Sequence, residues 1–100
     1  MDASVQELKQ REKEDETDYV LLDVREDHER SEYNIGGIHV PLGQLSMSMD
    51  KLTPHRDDEI IVYCRSGKRS AMAKELLSQS GFKNVRNLEG GMLAYQELKD

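Results

Sequence analysis

Residues Tyr19-Val20-Leu21-Leu22-Asp23-Val24 form a nearly unbroken apolar run of strand length. A strand of that composition has no polar side to offer water, so it must be covered on both faces, as the strands of parallel sheets are. Ile60-Ile61-Val62-Tyr63 is a second apolar, strand-like run, and Glu59 to Tyr63 is read as a strand. Two shorter candidates are Ile38-His39-Val40, stopped by Pro41, and Val85-Arg86-Asn87-Leu88. Strands separated by helical segments predict an open α/β sheet whose right-handed crossovers put helices on both faces.

The helices are read from caps and spacing. Ser4 and Glu7 stand at capping-box spacing and open a short N-terminal helix. The acidic cluster that follows, Glu12, Glu14, Asp15, Glu16 and Asp18, is expected to be a solvated helix end and loop rather than a partner-binding patch. Asp27 to Tyr33 is polar and helix-compatible, and Leu42, Leu45, Met49 and Leu52 recur at helical spacing. From Arg69 to Ser80, Met72, Ala73, Leu76 and Leu77 form one apolar face, closed by Gly81-Phe82 as a C-terminal stop. Gly90-Gly91 turns the chain into a last helix whose expected buried face is Leu93, Tyr95 and Leu98.

A chain of 100 residues can bury one core, so residues 1–100 are expected to form a single domain. A net charge of −6 argues against nucleic acid as the main partner, because phosphate binding requires a surplus of Lys and Arg. With no signal-peptide pattern and no apolar run able to cross a bilayer, a soluble cytoplasmic monomer without a membrane partner is expected. A lone cysteine makes no internal disulfide and persists best in a reducing compartment. His28, His39 and His55 are dispersed without metal-ligand spacing, and no metal or cofactor is expected. Met47, Met49, Met72 and Met92 read as gap-fillers of the core.

Cys64, the single cysteine, follows the strand ending at Tyr63 and precedes the basic loop Arg65-Ser66-Gly67-Lys68-Arg69-Ser70, which opens a helix. A helix N-terminus and neighbouring cations both favour the thiolate and lower a thiol pKa from ~8.5 into a range of about 3.5–7.5. In open α/β sheets ligands bind beyond the carboxyl ends of the strands, which is where Cys64 falls. Gly67 lets successive backbone N–H groups turn inward as an anion-binding nest, and Arg65, Lys68 and Arg69 add positive charge. Cys64 is the candidate nucleophile, with Arg65, Ser66, Gly67, Lys68 and Arg69 as candidate substrate-binding residues.

The segment Cys64-Arg65-Ser66-Gly67-Lys68-Arg69-Ser70-Ala71 resembles the active-site loop of rhodanese-like sulfurtransferases. Leu21-Leu22-Asp23-Val24-Arg25 is similar to the family's first strand motif, and Gly36-Gly37-Ile38-His39-Val40-Pro41-Leu42 to its Gly-rich segment. Residues 81–92, from Gly81-Phe82 to Gly90-Gly91-Met92, resemble the motif before its last helix. The likeness runs in order over nearly the whole chain, with Tyr33-Asn34-Ile35 standing where relatives often carry His and Pro. Within the family it is most similar to rhodanese domains attached to the adenylating enzymes of molybdopterin and thiamine biosynthesis and tRNA thiolation.

The resemblance implies an open, mainly parallel sheet of four to five strands with helices on both faces. It also implies that Cys64 takes the outer sulfur of an anionic donor such as thiosulfate, releases sulfite, and keeps a persulfide cradled by backbone N–H groups. Cyanide, a dithiol or a sulfur-carrier protein would accept that sulfur, and a cysteine desulfurase is an alternative donor. Asp23 and Arg25 are implied as framework, and Arg65 and Lys68 as residues that tune donor preference.

Two rivals stand beside this reading. One is the same fold kept as a non-catalytic binding or regulatory module, which usually lacks the cysteine. The other is a cysteine-dependent phosphatase or arsenate reductase, whose similar loop has five residues between Cys and Arg. Here four residues separate Cys64 from Arg69, and Ser70 stands where the phosphatase arginine would fall.

Overall fold

The computed structural model describes residues 1–98. The chain runs through α1 (Val5–Lys13), β1 (Val20–Asp23), α2 (Asp27–Glu32), β2 (Ile38–His39), α3 (Met49–Leu52), β3 (Glu59–Tyr63), α4 (Lys68–Gln79), β4 (Asn84–Asn87) and α5 (Gly91–Glu97). All four strands pair in parallel, in the order β2-β1-β3-β4. A single parallel bridge between Ala3 and Leu88 lies outside the named strands. The strand order changes direction between β1 and β3, so a crevice opens at their carboxyl ends.

Strand β3 shows why its run is unbroken. Ile60, Val62 and Cys64 point to one face, among Leu45, Leu52, Ala73 and Leu77. Ile61 and Tyr63 point to the other, among Val5 and Leu8 of α1 and Met92 of α5. The two-residue period of a strand thus loads both sides of the sheet, and all five positions are buried. At about 1.5–3 kcal/mol for each large apolar side chain withdrawn from water, β3 is the axis of the core.

Local signals explain most of the element boundaries. Ser4 Oγ accepts the Glu7 N–H at 3.1 Å and caps α1. The Glu7 carboxylate is engaged by Arg86 instead of completing a capping box. Helix α4 ends in a Schellman motif, in which the Phe82 N–H reaches the Leu77 carbonyl at 3.1 Å and the Gly81 N–H reaches Ser78 at 3.2 Å.

Three expectations are corrected. Residues 42–52 form two 3₁₀ turns, 42–44 and 46–48, followed by the four-residue α3, in place of one helix. The pairs Leu42/Leu45 and Met49/Leu52 are three apart, a spacing that aligns side chains in 3₁₀ turns as well as in α-helices, and Gly43 weakens the α alternative. On α4 the buried stripe is Ser70, Ala73 and Leu77, which leaves Met72 54% exposed. On α5 Met92 is buried and Leu93 is 40% exposed, while Tyr95 and Leu98 pack as expected on the α1 side.

The acidic cluster is only partly solvated, because Arg11 gathers Glu16 at 2.9 Å and Asp18 at 3.3 Å. Arg11 also grips both oxygens of Glu59 at the start of β3, at 2.7 and 2.8 Å, and Arg86 reaches the same carboxylate at 2.6 Å. Arg11 pulls the Glu59 carboxyl below its ordinary value of 4.5 against the opposing effect of burial, and Arg86 does the same for Glu7. Carboxylates with depressed folded-state values stabilise the fold above their ordinary range and lose that contribution as pH falls through the depressed value. Acid unfolding followed by circular dichroism is therefore expected to set in below pH 4.5. Glu59→Gln should lower stability near neutral pH by about 2 kcal/mol and flatten the acid limb; an unchanged limb would remove this network from the account.

Candidate active site

Cys64 is the first residue beyond β3, and the chain turns immediately into α4 through Gly67, the helix N-cap, which has φ +99°. That left-handed conformation is strained for a residue with a Cβ. It brings the Gly67 N–H to 3.1 Å from Cys64 Sγ. The Ser70 N–H and the Ser70 hydroxyl each lie 3.4 Å from the same sulfur. Burial pushes the thiol up, but the Ser70 hydroxyl and the N–H groups of Ser70, Gly67 and Ser66 together hold it below its ordinary value. The main stabilisers of the anion are thus loop hydrogen bonds, ahead of the basic side chains to which the sequence also points.

The loop that presents these donors is held by other elements. The first N–H groups of a helix lack intrahelical partners. Those of Met92 and Leu93 in α5 bind the carbonyls of Cys64 and Arg65 at 2.9 and 3.0 Å. The C=O and N–H of one peptide plane point in opposite directions, so tying the Arg65 carbonyl to Leu93 aims the Ser66 N–H at the sulfur. Gly91 makes the approach feasible, since a Cβ there would sit 2.5 Å from the Cys64 carbonyl oxygen and 2.7 Å from that of Arg65. From β4, Asn87 Nδ2 donates to the Gly67 carbonyl at 3.1 Å, and Asn87 Oδ1 accepts the Ser70 hydroxyl at 2.5 Å.

The basic residues divide. Arg69 is held by Glu29 of α2 in a bidentate pair at 2.6 and 2.9 Å. That pair, with the Glu26 N–H, overcomes burial and holds the Glu29 carboxyl down at about 2. Arg69 therefore straps α2 to α4 and does not stand open at the mouth. Arg65 is exposed and lines a cavity of about 160 Å³ with Arg25, Glu29, Tyr33, Met92 and Leu93. Ser66 and Lys68 are exposed, and Gly67 is buried. Arg25 is framework, since it bonds both oxygens of buried Asp23 at 3.0 Å and the Tyr33 carbonyl at 2.7 Å.

Ser70, Asn87 and Glu29 are site residues that the sequence reading did not select. Ser70 was within reach, because its N–H is among the unpaired first N–H groups of a helix beginning at Lys68. Asn87 pairs in register with Val62, so only the alignment of β4 on β3 brings it beside the loop. Glu29 lies in a polar helix with no buried residue, and only the tertiary fold joins it to Arg69. Among the described residues no His, Cys, Asp or Glu group is arranged to hold a metal, and no helix is long and apolar enough to cross a membrane.

Comparison with known proteins agrees with this geometry. The family model for the rhodanese-like domain matches residues 4–98. YtwF of Bacillus subtilis, provisionally named a sulfurtransferase, is 41% identical over 90 residues, covering 89% of this chain and 84% of its own. The thiosulfate sulfurtransferase PspE of Escherichia coli is 33% identical over 70 residues, covering 69% of this chain and 67% of its own. Other relatives are longer, and the chain spans only 38% of one and 24% of another. The crystal structure of a rhodanese-related protein from Thermoplasma volcanium superimposes with a TM-score of 0.82 at 33% identity, covering 96% of this chain and 90% of that one. With the family pattern matched from α1 to α5 and the cysteine loop in place, the chain belongs to the rhodanese-like sulfurtransferase family.

Proposed function

We propose that the chain carries sulfane sulfur as a persulfide on Cys64. The donor is thiosulfate or a protein persulfide such as that of a cysteine desulfurase. The acceptor is thiophilic: cyanide, a dithiol or the terminus of a sulfur-carrier protein. The observation that carries this reading is the convergence of the Gly67 N–H, the Ser70 N–H and the Ser70 hydroxyl on Cys64 Sγ. Among the described residues no imidazole or carboxylate bonds to that sulfur, so the site keeps a thiolate ready and does not extract a proton on demand.

The thiolate attacks the outer sulfur of the donor and an S–S bond forms as the donor's own S–S bond breaks. Sulfite, or the donor cysteine's thiolate where the donor is a protein persulfide, leaves with the electron pair, and the negative charge now sits on the terminal sulfur of the persulfide. Donors fixed in place before the reaction need no reorganisation while the charge moves. The acceptor then attacks the terminal sulfur and Cys64 departs as thiolate, a leaving group improved by its lowered pKa. Arg65 at the mouth draws an anionic donor, and exposed Lys68 adds to that field. Ser66 and Gly67 supply N–H groups, while Arg69 acts through its strap to Glu29. The chemistry needs no cofactor, and a reducing cytoplasm would keep the unpaired thiol available to a monomer.

Cys64→Ser is expected to keep its circular dichroism spectrum and to lose the reductant-labile gain of one sulfur seen by intact mass after thiosulfate treatment. A gain persisting in the variant would overturn the reading. Arg65→Ala should raise the KM for thiosulfate about fivefold at low salt, with the effect shrinking as salt screens it. Arg69→Ala should loosen α2, detected as faster amide exchange over residues 27–32, with a smaller change in KM than Arg65→Ala.

A further inference from the structure

The hydrogen-bond geometry around Ser70 is over-subscribed. Its hydroxyl has one hydrogen but faces two acceptors, Asn87 Oδ1 at 2.5 Å and Cys64 Sγ at 3.4 Å. The amide of Asn87 has no freedom to relieve this, because its Nδ2 donates to the Gly67 carbonyl at 3.1 Å. A flipped amide would set Oδ1 against that carbonyl, so Oδ1 must face Ser70 and can only accept. Ser70 is fully buried, Cys64 is 1% exposed and Asn87 8%, which leaves bulk water little access to supply a second donor.

We propose that Asn87 is a positioning residue for sulfur transfer, acting through the Ser70 hydroxyl as the alternative acceptor of a hydrogen whose place follows the charge on Cys64. The inference rests on the persulfide reading above. In the thiolate state Sγ carries the full charge, and rotation about the Ser70 Cβ–Oγ bond delivers the hydrogen to sulfur. When the S–S bond to the donor's outer sulfur forms and sulfite leaves with the electron pair, the charge moves out to the terminal sulfur. Sγ is then a poor acceptor, and the hydroxyl turns to Asn87 Oδ1. No proton leaves Ser70 at any stage. Asn87 thereby competes with the thiolate for its closest side-chain donor, which keeps the sulfur less stabilised and more nucleophilic than an uncontested hydroxyl would leave it. It also keeps the hydroxyl satisfied once the persulfide has formed.

The competition predicts opposite signs for two variants. The pH titration of the Cys64 thiolate by ultraviolet absorbance reads both without requiring turnover. Ser70→Ala removes the donor and should raise the thiol pKa by about one unit. Asn87→Ala frees the hydroxyl for sulfur and should lower it by roughly half a unit, with the rate of sulfur loading at saturating pH falling about twofold. In a Ser70→Ala background, Asn87→Ala should leave the titration where Ser70→Ala put it, and Ser70→Thr should restore the wild-type value. A prop for the loop would behave differently: Asn87→Ala would raise the pKa, and would do so in the Ser70→Ala background as well. Either result overturns the proposal. If Asn87→Ala does not fold, the Ser70→Ala and Ser70→Thr pair decides it, since an unshifted titration in Ser70→Ala removes the contested hydrogen altogether. Failure of wild-type protein to load sulfur would overturn the persulfide reading itself and would leave these titration shifts unaffected.

Discussion

The site depends on the outward anchoring of the loop carbonyls after β3. With the Cys64 and Arg65 carbonyls bound by α5 and the Gly67 carbonyl bound by Asn87, the backbone of the loop is fixed, and from it the Gly67 and Ser70 N–H groups reach the sulfur. Two helices share the work. Helix α4 contributes its first N–H groups to Sγ, and α5 contributes its own to the carbonyls behind it. Gly91 brings the second helix near enough to do so, and Gly67 allows the sharp entry into the first. An anion-binding nest of this kind is specified by backbone geometry, so most of its donors cannot be removed by changing a side chain.

The balance of forces at Cys64 then follows from magnitudes. Removing an ionised thiol from water is unfavourable, and the residue is as buried as the core residues beside it. Hydrogen bonds to a charged acceptor are worth about 1.5–3 kcal/mol each, and several converge here. An exposed guanidinium at the mouth acts through water and salt, where charges are screened beyond ~8 Å and surface pairs contribute about 0–1 kcal/mol. The nest therefore sets the ionisation of the sulfur, and under the proposed function the exposed cations act on which donors approach. Arg65 is placed for that task. Arg69 is committed to Glu29, and through it α2 is fixed beside the mouth although none of its own residues is buried.

The strands and the placing of the candidate cysteine at the end of one of them were legible in the sequence because each rests on a local signal. A strand covered on both faces must be apolar throughout, and a cysteine between such a strand and a glycine-containing basic loop has few other uses. Residues 42–52 misled because a spacing of three does not separate successive 3₁₀ turns from an α-helix. Met72 and Leu93 misled because the register of a short amphipathic helix is decided by what it packs on. Ser70 supplies that contact on α4, buried as part of the sulfur's shell, and the face turns toward it and away from Met72 while keeping Ala73, Leu76 and Leu77. Asn87 and Glu29 were hidden for a related reason: each meets its partner across a long sequence separation, and neither lies in a run that marks it.

Strand β3 joins the fold and the chemistry in one periodicity. Ile60, Val62 and Cys64 alternate onto the same face, so the sulfur continues the apolar row that holds α4 to the sheet. The nucleophile needs no separate support, since packing that fixes Ala73 and Leu77 also fixes the start of α4, and with it Ser70. Under the proposed persulfide function, the charge that the core tolerates least lies deepest in the thiolate state and moves toward the mouth when sulfur is accepted. Burial thus favours loading, while the nest favours the empty thiolate that accepts sulfur again. A carrier of sulfur requires both states to be close in free energy. A buried sulfur ringed by backbone donors, with one side-chain donor shared between it and Asn87, is a physical arrangement that brings them together.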